Sequence, residues 1–182
     1  MTDDRAVSAY GRVRSAYGWA LLVAGSFAGI VTFLMMLLVV ANVLLRSIAD
    51  APIDGTLELT QSALVILIFL SLALTQYEGG HIHVVILTQR LPARLRTAVR
   101  FLAMVLGLVF FAWATKGAFD FALRSYTINE QEWGAIRFPI WPVKFVVFVG
   151  LLALAIQFLI DAVGVLVGEL PDDEDAVKEE HL

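Results

Sequence analysis

Ionisable side chains fall into three groupings whose spacing could carry chemistry. His81 and His83 flank Ile82 just after Gly79-Gly80, as two ligands of a metal site would. A zinc site needs four ligands, and neither a cysteine nor a nearby carboxylate completes this one. Histidines beside a turn more often bond backbone or face an interface. Haem b needs histidines at membrane depth on facing helices, and the third histidine, His181, sits in an acidic tail. Lys116, Asp120 and Arg124 lie four residues apart. On a helix they share one face, with neighbours opposite in sign. The stripe follows a full membrane crossing and reads as a solvated face, not a buried proton relay. Arg46 and Glu58 flank a short connection between consecutive apolar segments. They could close that hairpin as an ion pair, touch headgroups or another subunit, or snorkel to water. Lys144 beside Trp141 has the same options. No nucleophile–base pair, Gly-rich phosphate loop or carboxylate dyad is present, and with no cysteine there are no thiols or disulfides.

The elements that must position these groups are apolar. No charged residue lies between Arg14 and Arg46, and charge-free runs recur at Leu59–Tyr77, Phe101–Thr115 and Phe145–Ile160. A hydrocarbon core of about 30 Å is crossed by roughly 20 such residues in a helix. The chain has 182 residues, 59% hydrophobic and 16% charged, against about 25% charged in a soluble domain. The expected fold is an all-α integral membrane protein: four transmembrane helices with a short interfacial amphipathic helix between the second and third. The spans are expected at about 19–45, 57–77, 97–124 with an outer extension, and 142–167, in one membrane domain over 1–182. The first apolar run is too long for a signal-peptide core and lacks a small-residue cleavage site, so it reads as a retained span. Thr56 is the expected N-cap of the second span, with Glu58 in the first turn. Residues 81–91 repeat apolar positions at helical spacing but are too short to cross. Pro139 and Pro142 rigidify the start of the fourth span.

Basic residues set the expected orientation. Arg5, Arg12 and Arg14 precede the first span, and Arg90, Arg94, Arg96 and Arg100 fill the central loop. The positive-inside rule puts both in the cytoplasm, and four spans return the acidic tail, 169–182, to the same side. Arg124, Arg137 and Lys144 then fall outside. The net charge of −4 comes largely from that tail, which reads as a solvated segment. No basic stripe suits nucleic acid. Polar groups inside the spans, including Asn42, Gln61, Gln157 and Asp161, read as links between helices. A self-contained transporter shows repeats and broken helices, and neither is seen.

Taken in order, A-N-V-L-L-R at 41–46, Glu58, G-G-H-I-H-V at 79–84, R-L-P-A-R-L-R at 90–96 and F-P-I-W-P-V-K at 138–144 resemble the small membrane subunit of TRAP (tripartite ATP-independent periplasmic) transporters, of the DctQ type. The resemblance covers about Phe33 to Ala162 and departs from the family pattern at Val85 and Val149. It implies a multi-pass subunit of the bacterial inner membrane with both termini cytoplasmic. Its partners would be a large multi-span subunit carrying the substrate and sodium sites, a periplasmic substrate-binding protein delivering an organic acid, and membrane phospholipids. The expected role is non-catalytic and without cofactor or metal. Arg46, Glu58, His81, Arg94, Arg96, Trp141 and Lys144 are the expected partner or lipid contacts. Lys116, Asp120, Arg124, Glu130, Glu132 and Arg137 are the expected docking residues for the binding protein. Readings from other classes are a four-helix membrane enzyme or redox subunit, which a bound cofactor would reveal, and a free-standing membrane scaffold.

Overall fold

A computed structural model describes residues 3–78 and 92–167. Four helices account for nearly all of it: α1 (Asp3–Ala49), α2 (Thr56–Tyr77), α3 (Ala93–Thr127) and α4 (Trp141–Val167). Each is long and apolar enough to cross a membrane. The interfacial helix expected over 81–91 lies outside the described residues.

The helices stand in a row. α1 packs on α2, α2 on α4 and α4 on α3, while α1 only grazes α4. Two of the four therefore have a neighbour on one side only. The burial pattern shows how α1 is held. Its less exposed positions include 10, 14, 17, 21, 24, 28, 31, 35, 38 and 42, in alternating steps of four and three, with 18, 25 and 41 beside them. A 3.5-residue repeat of contacts keeps one seam facing the neighbour and suits a left-handed crossing near +20°. In α3 the positions 101, 104, 108, 111, 115, 118, 122 and 125 repeat the rule.

Small residues let the backbones approach. A Cβ on Gly150 of α4 would collide with the Phe69 carbonyl of α2, and one on Gly18 of α1 would strike the Tyr77 ring. Around these crossings Leu21, Ala73 and Leu154 form the core, with Tyr17, Tyr77, Phe111 and Phe158 against it. The Phe111 and Phe158 rings stack at 5.2 Å, joining α3 to α4. Tyr17 Oη donates to the Ala153 carbonyl at 2.5 Å, tying α1 to α4.

Deeper in the seam, Asp161 of α4 accepts from Gln76 Nε2 of α2 and from Gln157 Nε2, both at 2.8 Å. All three residues are buried. Asp161 and Gln157 are one turn apart, so one helix face presents both and α2 supplies the third. By contrast, Thr32, Ser71, Thr75 and Thr115 donate to their own helices' carbonyls four residues back, which satisfies a hydroxyl in lipid without any neighbour.

Helix α1 runs 47 residues, about 70 Å at 1.5 Å per residue, and reaches Asp3, well before the span expected from Trp19. Arginines at 5, 12 and 14 limit the apolar run but not the helix, because Arg is a good helix former. The N-cap of α2 is Gly55 in the left-handed region, φ 80°, and not Thr56 as expected. Thr56 is the first helical residue, and its hydroxyl donates back to the Ile53 carbonyl at 2.7 Å, so its oxygen turns away from the helix's free amides. Gly55 also leaves room for Ile136, which a Cβ there would strike.

Candidate functional site

The two loops that join α1 to α2 and α3 to α4 meet at one end of the row, and most of the ionisable side chains flagged by spacing gather there. The first loop is short and tied from inside: Asn42 Oδ1 of α1 accepts from Ile53 N at 2.7 Å. Asp50, at φ 50°, turns the chain out of α1, a conformation that Asp tolerates better than most side chains.

The second loop starts with a Schellman turn. Asn129 takes φ 48°, Glu130 N bonds the Ser125 carbonyl at 3.0 Å and Asn129 N that of Tyr126 at 3.1 Å. This pattern closes the last turn of α3 and redirects the chain. Gln131 and Pro139 then form an antiparallel bridge, with Glu132 N to the Phe138 carbonyl at 2.8 Å and Ile140 N to that of Glu130 at 3.2 Å.

Two carboxylates staple this loop to the helix ends. Glu58, buried in the first turn of α2, accepts from Ala135 N at 2.5 Å. Gly134 lies so close that a Cβ there would collide with the Glu58 carboxylate. Glu130 pairs with Lys144 in the first turn of α4. Its hydrogen bond to that ammonium holds the Glu130 carboxyl below the ordinary carboxylate range, with the nearby Ser125 hydroxyl acting in the same direction. The Lys144 ammonium also sits 3.9 Å from the centre of the Phe121 ring, a cation–π contact that sets α4 against α3.

The predicted residues divide accordingly. Glu58, Glu130 and Lys144 are engaged within the chain. Arg46 stands exposed at the end of α1 and forms no ion pair with Glu58, whose acceptor is taken by Ala135. Trp141 is half-buried, edge-on to Tyr126 at 5.2 Å and to Phe145 at 6.3 Å, so it wedges α3 from α4. Lys116, Asp120 and Arg124 are exposed, and among the described residues no ion pair links them. Glu132 and Arg137, likewise without an ion pair, border an open cleft of about 590 Å³ together with Trp133 and Asn129. His81 lies outside the described residues, and of Arg94 and Arg96 only the backbone, in the first turn of α3, lies within them.

Spacing missed Gly134, Ala135 and Trp133. Gly134 and Ala135 act through backbone, and 77 residues separate Ala135 from Glu58. A tryptophan in a polar loop was the one available signal for the third.

Compared with curated proteins and with solved structures, the chain gives no match. The model of one protein family, described as tripartite ATP-independent periplasmic transporters, DctQ component, matches residues 35–168. That stretch holds α2, α3, α4, both loops and the loop-proximal part of α1. The chain belongs to the DctQ family: it is the small subunit of a TRAP transporter, a multi-pass protein of the inner membrane.

Proposed function

We propose that this chain is the non-catalytic frame of a sodium-coupled, binding-protein-dependent secondary transporter for an organic acid. It braces the large multi-span subunit, which carries the substrate and sodium sites, and its two-loop end helps to dock the periplasmic binding protein. Both termini lie in the cytoplasm, so the two loops face the periplasm.

One observation carries this reading. Asp161, a carboxylate buried within a span, is bound from two sides by Gln76 and Gln157. Intramembrane carboxylates mark ion pathways when they face a cavity or a partner charge. Here the carboxylate helps to join α2 to α4 through Gln76, as a rigid frame requires. The row arrangement supports it too, because a row exposes far more apolar surface than a closed bundle and so offers broad faces to lipid and to a larger subunit.

The docking role rests on the exposed charges Lys116, Asp120 and Arg124 along the outer part of α3. Reversing Lys116, Asp120 and Arg124 together should weaken uptake and its dependence on binding-protein concentration while leaving assembly with the large subunit intact. Unchanged uptake kinetics would remove the docking role.

A further inference from the structure

Among the described residues Trp133 has no packing partner. It is fully exposed, at 102%, on a loop that is otherwise closely held. Rigid presentation of an open indole calls for an occupant, and the two staples say where that occupant lies.

Glu58 is the last charged residue before the charge-free run of α2, which begins at Leu59. Lys144 holds the same position before Phe145 in α4. Both therefore mark the edge of the hydrocarbon. The loop is fastened to both, by Ala135 to Glu58 and by Glu130 to Lys144. Trp133 lies between the two fastenings, two residues from Ala135. An extended chain spans at most about 3.6 Å per residue, which keeps its backbone within about 7 Å of the Ala135 backbone. A headgroup layer is about 5–7 Å deep on each side, the difference between a core of ~30 Å and a bilayer of ~40–45 Å. The indole thus stands at headgroup level, where tryptophan is enriched.

The cleft beside it has matching chemistry. Glu132 and Arg137 both border it with Trp133, and among the described residues neither is in an ion pair. A carboxylate, a guanidinium and an aromatic face around one opening complement a group with one ammonium and one phosphate. The guanidinium takes the phosphate, while the carboxylate and the indole face take the ammonium.

We propose that the α3–α4 loop is a lipid-headgroup site: Trp133, Glu132 and Arg137 hold a zwitterionic phospholipid headgroup of the leaflet at the two-loop end. This rests on the membrane spans and the loop geometry, and not on the docking role proposed above.

The chain has four tryptophans, so Trp19, Trp113 and Trp141 replaced by Phe leave Trp133 as the sole reporter. The full-length variant is placed in phosphatidylethanolamine/phosphatidylcholine nanodiscs, with and without a nitroxide on the lipid headgroup, and titrated with iodide. The expected result is a greater loss of Trp133 emission to the headgroup nitroxide than to iodide, and a smaller loss to the nitroxide after Arg137→Glu. Trp133→Phe alone in the otherwise unaltered chain gives the same lipid-quenchable emission by difference, which guards against misfolding of the triple variant. Full quenching by iodide with none by the nitroxide would overturn the proposal in favour of a solvent-facing loop. Nitroxide quenching that disappears when the large subunit is co-reconstituted would overturn it in favour of a protein interface.

Discussion

The carboxylate of Glu58, at the start of α2, accepts the backbone amide of Ala135 at 2.5 Å across 77 residues of chain. Its side chain lies over Gly134, the one residue type that admits it there. This contact fixes the loop before α4 to the start of α2, the neighbour of α4 in the row, so the two-loop end behaves as one surface.

Glu58→Ala should therefore cost about 1.5 kcal/mol, the lower range for a hydrogen bond to a charged group, and Glu58→Gln less. Gly134→Ala should give a similar loss, because its new Cβ displaces the carboxylate from Ala135. Thermal unfolding in detergent and limited proteolysis within 128–140 measure both. In the double variant the losses should not add, since each breaks the same contact.

Gly150 and Gly18 should differ in their tolerance of alanine. At Gly150 the new methyl meets the Phe69 backbone, which cannot move without moving α2. At Gly18 it meets the Tyr77 ring, which can rotate. Gly150→Ala should destabilise by about 1–3 kcal/mol, the usual range for overpacking, and Gly18→Ala by less, as read from thermal unfolding midpoints.

The polar seam should be modest in energy. Gln76→Leu removes one of the two amides on Asp161 and should cost about 0.6 kcal/mol, the average for polar links between transmembrane helices, and no more than about 1.7. A double-mutant cycle with Asp161→Asn reads the coupling between α2 and α4 directly.

Acid should loosen the second staple. The Glu130 carboxyl titrates below its ordinary value of 4.5 because of the Lys144 ammonium. Folding thus gains from the pair above pH 4.5 and loses that gain as pH falls through the lowered folded value. The difference in unfolding midpoint between the native chain and Glu130→Gln should be constant above pH 4.5 and close below it. A difference that grows as pH falls would contradict the pairing.

The absence of cysteine makes orientation easy to test. Gln131→Cys should react with a membrane-impermeant maleimide from the periplasmic side of intact cells. Gly11→Cys, at a position with open space around it, should react only after permeabilisation.

Spans could be read from the sequence because charge disappears wherever lipid begins, at Leu59 and Phe145 most sharply. The direction each helix faces could not. Lipid is as apolar as a helix neighbour, so Leu21, facing α2, and Leu22, facing outward, look alike to any hydropathy argument. The 3.5-residue repeat of α1 emerges only from burial. Small residues carried a partial signal, since Gly150 sits against the Phe69 backbone and Gly18 against the Tyr77 ring, yet Gly29 and Gly117 have nothing beside them. Charged groups could be placed at the two-loop end by chain order alone. Their partners could not, because Ala135 offers only a backbone amide and the Lys144–Glu130 pair depends on the turn at Asn129.

The proposed role as a frame requires that the substrate path lie in another subunit. Uptake of a radiolabelled organic acid into proteoliposomes under an inward sodium gradient, with binding protein present, tests it most directly. The large subunit with this chain should transport, the large subunit alone should fall to a small fraction of that rate, and this chain alone should do nothing. Transport by this chain alone, or an undiminished rate without it, would contradict the claim.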